Sequence, residues 1–149
     1  MNVRLKRAYQ PAESSDGYRI LIDRLWPRGV TRRRANLDEW ETELAPSMEL
    51  RQWFGHEASR FDEFRRRYIE ELSGQGPRLT ELRRRARSGT LTLVYSARDT
   101  EHNDAVVLAE VLRRGIPKAR KRRGGTAAAD LKPSRSPDRS LIGSGEGTS

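Results

Sequence analysis

Two short apolar runs, Tyr18-Arg19-Ile20-Leu21-Ile22 and Leu91-Thr92-Leu93-Val94-Tyr95, constrain this chain more than any other feature. Each is bounded by turn formers. Ser14-Ser15-Asp16-Gly17 precedes the first and Trp26-Pro27-Arg28-Gly29 follows it, while Gly89 precedes the second. Runs of this length and punctuation predict strands, and their unbroken apolar centres predict burial on both faces, as in parallel sheets. Val3 and Leu5, alternating with Arg4 and Lys6, predict a further short strand with one wet face.

Between and after these runs the apolar period changes to that of a helix. Leu37, Trp40 and Leu44 predict a helix ending at Pro46; Ser47 suits the N-cap of a second, bearing Leu50, Trp53 and Phe54 and closed by Gly55. Phe61, Phe64, Tyr68 and Leu72 form a stripe that stops at Ser73-Gly74-Gln75-Gly76. Pro77 suits the first turn of the next helix, with Leu79, Leu82 and Ala86 inward. A last helix is expected from about Glu101 to Arg114, stopped by Gly115. The order predicts an α/β fold: a small, mainly parallel sheet flanked by helices.

Composition divides the chain at residue 116. Residues 117–149 hold eight basic residues against three acidic, contributing +5 of the chain's net +9. They include five Gly, three Pro and five Ser but no aromatic residue, so ordering them would cost more chain entropy than their burial returns. An α/β domain over 1–116 and a disordered basic tail over 117–149 are therefore expected. The high whole-chain charge is largely a property of this tail and says little about the body.

The absence of cysteine excludes disulfide scaffolds, thiolate metal sites and cysteine nucleophiles. No apolar run approaches the ~20 residues that cross a bilayer, and Met1 to Arg7 lacks the apolar stretch of a secretory signal. No membrane contact and a cytoplasmic location are expected. Phosphate-loop, dinucleotide and serine-hydrolase signatures are missing, and two distant histidines predict no metal site.

Ligands of parallel sheets sit beyond the carboxyl ends of the strands. Both strong strands end in arginine-bearing segments, Asp23-Arg24-Leu25-Trp26-Pro27-Arg28-Gly29 and Ser96-Ala97-Arg98-Asp99-Thr100-Glu101-His102-Asn103. Planar guanidinium groups match phosphate or carboxylate oxygens, so Arg28 and Arg98 are expected to grip an anionic small molecule, with Trp26 covering it. Arg24, Gly29, Ser96, Asn103 and His56 complete the expected binding set. Asp23 and His102 are the candidates for proton transfer, with Asp99 placed to orient the His102 ring. Internal pairing of these arginines with Asp23, Asp99 or Glu101 is the structural alternative. Turnover and any cofactor are left open by the sequence.

The triplets Arg32-Arg33-Arg34, Arg65-Arg66-Arg67 and Arg83-Arg84-Arg85 suggest a rival, a nucleic-acid or protein-interaction module that also uses the tail cluster Lys118 to Arg123. Consecutive helical residues fan over roughly 300°, however, so no triplet forms a single face; Glu63, Glu70, Glu71 and Glu81 are near enough to neutralise them, and a solvated surface is expected.

Three segments together carry a family resemblance: Leu21 to Gly29; Leu44-Ala45-Pro46-Ser47 with Leu50 to His56; and Tyr95 to Asp99 with Glu101-His102-Asn103. Over residues 2–115 the chain resembles the YeaO-like family, domain of unknown function 488. The resemblance implies a small bacterial α/β domain and brings no established reaction or ligand. Other branches carry cysteine and a Cys-His-Arg string near the second strand end. Here Ser96 and His102-Asn103 stand instead, so thiol chemistry does not transfer.

Overall fold

The computed structural model describes residues 1–118, and the expectation of a disordered tail lies almost wholly outside them. Four strands form one sheet: β1 (Asn2–Arg7), β2 (Tyr18–Ile22), β3 (Glu39–Glu41) and β4 (Thr90–Tyr95), in the order β1-β4-β2-β3. Every pairing is parallel. The two strands with continuous apolar centres take the middle of the sheet, where both neighbours and both faces are protein. Among the described residues five α-helices accompany it: α1 (Arg32–Ala35), α2 (Met48–Phe54), α3 (Phe61–Leu72), α4 (Gly76–Ser88) and α5 (Asp104–Arg114).

One face carries the main core. Ile20, Ile22, Leu91, Leu93 and Tyr95 meet Phe64, Tyr68 and Leu72 of α3, Leu79 and Leu82 of α4, and Val107, Leu108, Val111 and Leu112 of α5. Residue alternation along the strands sends Leu21 and Val94 to the opposite face. There they pack with Ala8 in a much smaller cluster, partly covered by Trp26 and Leu37. Among the described residues, no helix is long and apolar enough to cross a membrane.

The expected helix over Leu37 to Leu44 is corrected to strand β3, which pairs Trp40 with Leu21. The spacing misleads because the chain passes from one face to the other: Leu37 lies against the small cluster, whereas Leu44 enters the main core. The alternation around Trp40 is disguised by Glu39 and Glu41. Arg78 of α4 pairs with both carboxylates, donating to Glu41 Oε1 at 2.8 Å, so two acidic residues are tolerated on a strand face that helices cover. The last helix starts three residues later than expected. Asp99 Oδ1 accepts the amides of Glu101 and His102, folding that stretch into a turn, and Asn103 then caps α5 by accepting the Val106 amide at 2.9 Å.

A buried charge network anchors the smaller face. Asp16, fully buried, accepts from Lys6 Nζ at 3.1 Å and from Arg19 Nη1 at 2.7 Å. Arg19, 2% exposed, also donates to the carbonyls of Ala35 and Asn36, tying α1 to the sheet.

The later arginine triplets are largely engaged within the fold. Arg65 pairs with Glu110, Arg66 and Arg67 pair with Glu63, Arg83 donates to the Leu112 carbonyl, and Arg85 lies 3.8 Å from the Tyr18 ring centre.

Candidate functional site

β2 and β4 are parallel neighbours, so the segments that follow them leave the same edge of the sheet. Asp23 and Ser96 meet there: the Ser96 hydroxyl donates to Asp23 Oδ2 at 2.8 Å, and the Leu25 amide donates to Oδ1 at 3.2 Å. The Asp23 carbonyl accepts from Trp40 Nε1 at 2.7 Å. These bonds hold a buried carboxylate in one orientation.

A cavity of about 320 Å³ opens beside it. Asp23 and Arg24 line it from the first strand end, and Ser96, Ala97 and Arg98 from the second. Arg51 and Phe54 of α2 and the adjoining His56 form another wall with Ala45 and Pro46; Phe64 supplies more apolar surface, and Asn103 with Asp104 closes the site at the start of α5. Phe54 and Phe64 stack with centroids 4.3 Å apart, which fixes the aromatic wall. His56 adopts a left-handed backbone, φ +60, immediately after Gly55, so the α2 terminus turns its side chain toward the cavity.

Three guanidinium groups face this space, and they differ in how far they are engaged. Arg24 Nε donates to the Pro46 carbonyl at 2.8 Å, and Arg24 forms no ion pair among the described residues. Neither Arg51 nor Arg98 forms an ion pair among the described residues. The internal-pairing alternative thus fails for Arg98, while the Asp23 carboxylate is taken up by Ser96 and the Leu25 amide.

Asp104 sits among them at the first position of α5. Burial, and then the negative charge of Asp23, raise its pKa to about 7; the Ala105 amide and the Arg51 charge oppose that rise. Its proton is therefore exchangeable near neutrality.

Of the residues singled out in the sequence, Asp23, Arg24, His56, Ser96, Arg98 and Asn103 share this cavity. Trp26, Arg28, Gly29, Asp99 and His102 are not in its lining. The first three turn away because the chain bends at Pro27 to Val30, where the Val30 amide reaches the Pro27 carbonyl at 3.4 Å and Gly29 has φ +80. Trp26 then lies across the small cluster on the other face. Asp99 and His102 form a local pair, Nδ1 to Oδ2 at 2.9 Å, with the imidazole edge-on to Phe61 at 5.1 Å. The Glu101 amide first, and then His102, hold the Asp99 carboxyl below its ordinary pKa. The expected grouping of Arg28 with Arg98 under Trp26 is therefore not one that this cavity brings together.

Sequence reasoning missed Arg51 and Asp104. Arg51 belongs to the Leu50-to-His56 motif that carried the resemblance, so a signal existed. Asp104 reads from sequence as an ordinary acidic residue in a helix first turn, where the helix dipole accounts for it.

The model of the family described as "Inactive DUF488-N3 subclade" matches residues 2–131. The chain belongs to this DUF488 family. The uncharacterised protein YeaO of Escherichia coli (strain K12) is 49% identical over 116 residues, 76% of this chain and 98% of the relative. Rv3073c of Mycobacterium tuberculosis (strain ATCC 25618 / H37Rv), also uncharacterised, is 40% identical over 110 residues, 74% of this chain and 92% of its own. No solved structure matches. The two relatives cover nearly their whole length with the DUF488 body, so the YeaO-like expectation for that body holds.

Proposed function

We propose that this DUF488 domain binds a small anionic molecule with an apolar portion in the cavity at the strand ends. The observation that carries the reading is the trio Arg24, Arg51 and Arg98 facing one cavity, with Arg51 and Arg98 unpaired among the described residues. Unpaired arginines around a concave apolar wall leave a strong, unsatisfied preference for a carboxylate, sulfonate or phosphate group. Phe54 and Phe64 favour an apolar or aromatic body attached to that group. Binding without turnover is the reading adopted. The matched subclade is described as inactive, and His102, the histidine best suited to proton transfer, is outside the lining.

Phenyl phosphate is the first probe. It should raise the melting temperature of the protein and bind more tightly than inorganic phosphate, while uncharged phenol should do neither. Arg51→Gln combined with Arg98→Gln should weaken binding at least about tenfold, since a hydrogen bond to a charged group contributes about 1.5–3 kcal/mol. Unchanged affinity in the double variant, with the fold intact by circular dichroism, would exclude this cavity.

Asp104 makes the site sensitive to pH. As pH rises through about 7 its carboxyl gains a negative charge inside the cavity. Benzenesulfonate, whose own charge is fixed over this range, should therefore bind less well at pH 8 than at pH 6, and Asp104→Asn should flatten the profile. The same group affects folding. Its pKa is higher folded than unfolded, so its contribution to stability is present at low pH and is lost as pH rises from about 4 to about 7. Asp104→Asn should remove that decline; a parallel decline in both proteins would locate the effect elsewhere.

A further inference from the structure

The sheet face opposite the main core, on which α1 packs, carries a second charged feature, separate from the cavity. Trp26 and Trp40 meet edge to face, with ring centroids 5.3 Å apart and planes at 72°. Their polar edges are bound internally, Trp26 Nε1 to the Val30 carbonyl at 2.6 Å and Trp40 Nε1 to the Asp23 carbonyl at 2.7 Å. Both indoles are thereby fixed, yet Trp40 stays 38% exposed. The Arg32 guanidinium stacks over the pair, 4.8 Å from the Trp26 ring centre and 5.9 Å from that of Trp40.

Arg32 begins α1, a single turn whose one buried residue is Ala35. Ala35 is buried, Arg32, Arg33 and Arg34 are exposed around the rest of the turn, and Arg28 is exposed on the loop leading to them. None of these four arginines forms an ion pair among the described residues. The contrast is with Arg65, Arg66 and Arg67 on α3, each of which has a glutamate partner. Tyr9, 39% exposed, extends the aromatic surface, since its hydroxyl donates to the Arg28 carbonyl at 3.1 Å.

We propose that this face binds single-stranded nucleic acid, with phosphates on Arg28, Arg33 and Arg34 and a base stacked on the Trp40 and Arg32 surface. Four guanidinium groups without acids suit a partner of repeated negative charge better than a single anion. Fixed indoles under a guanidinium plane offer what an unpaired base can stack on. A duplex hides its base faces, and an acidic peptide would use the arginines but not the rings. The single strand is the one partner of the three that uses both halves of the surface.

The test uses the full chain with a fluorescein-labelled fifteen-residue oligothymidylate, read by anisotropy, and unlabelled oligomer read by tryptophan fluorescence. Binding with quenching is expected, weaker for a duplex of equal length. Arg33→Gln with Arg34→Gln should lower affinity at least tenfold at low salt and reduce the salt slope by about 1.4, since each phosphate neutralised on a single strand adds about 0.7 to that slope. Both positions are exposed and make no side-chain bond within the described residues, so the melting temperature should hold. Changing Lys121, Arg122 and Arg123 to Gln controls for the tail. Loss of all binding in that control while the Arg33, Arg34 variant binds like the parent would overturn the proposal. So would absence of binding by the parent chain, or displacement by polyglutamate as effective as by oligomer with no quenching, which would mark an acidic-peptide surface. Failure here leaves the cavity reading untouched, because neither Arg33 nor Arg34 lines it.

Discussion

Asp16→Ala should cost the domain about 3–5 kcal/mol, because removing one partner of a buried ion pair strands the other charge away from water. Arg19 would lose its carboxylate partner here, while Lys6 keeps Glu13 at 3.0 Å. Lys6 and Arg19 both donate to the Asp16 carboxylate, and Arg19 is nearly inaccessible to solvent. Arg19 also holds the Ala35 carbonyl at 2.7 Å, and the Thr92 hydroxyl donates to the Asp16 carbonyl at 2.6 Å, so the damage should spread from the strands to α1. With urea slopes of about 1–3 kcal/mol per molar, the midpoint should fall by about 2 M. A shift under about 0.5 M would show that the network contributes little.

Acid should act on the same network. Burial alone would raise the Asp16 pKa, but the Glu13 amide, Lys6 and Arg19 together outweigh it and hold the carboxyl below its ordinary value. A carboxyl with a folded pKa below its unfolded one stabilises at pH values above the unfolded pKa, and the contribution disappears as pH falls through the folded pKa. The parent protein should thus lose stability below about pH 4, a loss that Asp16→Asn should not share.

Gly17→Ala should be nearly as severe, at about 3 kcal/mol. Gly17 has φ +66, where a side chain is strained, and a Cβ built there would stand 2.3 Å from the Thr90 carbonyl oxygen. That oxygen is backbone at the first residue of β4, so it cannot swing aside as a flexible side chain would. Relief requires moving either the turn that carries Asp16 or the start of a central strand. Circular dichroism melts would show the loss; a melting temperature equal to the parent's would mean that the turn relaxes at little cost.

Much of the architecture follows from local chemistry. Ser47 and Gly55 bracket α2 as an N-cap and a left-handed C-terminal residue, and Pro77 lies in the first turn of α4. The stripe Phe64, Tyr68, Leu72 is the buried side of α3. In each of these the decisive interaction lies within a few residues. Strand β3 was not legible because what stabilises it comes from afar: Leu21 across the sheet, and Arg78 of α4 beneath its two glutamates.

The site divides along the same line. That two apolar strands end in polar, arginine-bearing segments is written in the residues alone, since composition and turn formers set where each strand stops. Their parallel pairing then placed Asp23 beside Ser96 and brought Arg98 to the same cavity. Which arginines share that space was settled by the folded chain. The bend at Pro27 to Val30 carries Arg28 and Trp26 to the far face, while α2 brings in Arg51 from a segment more than twenty residues away. Folding also set the chemistry of Asp104, an ordinary helix-start acid until burial beside Asp23 raises its proton affinity. A side chain's direction and solvation depend on neighbours distant in the chain, and no local pattern encodes them.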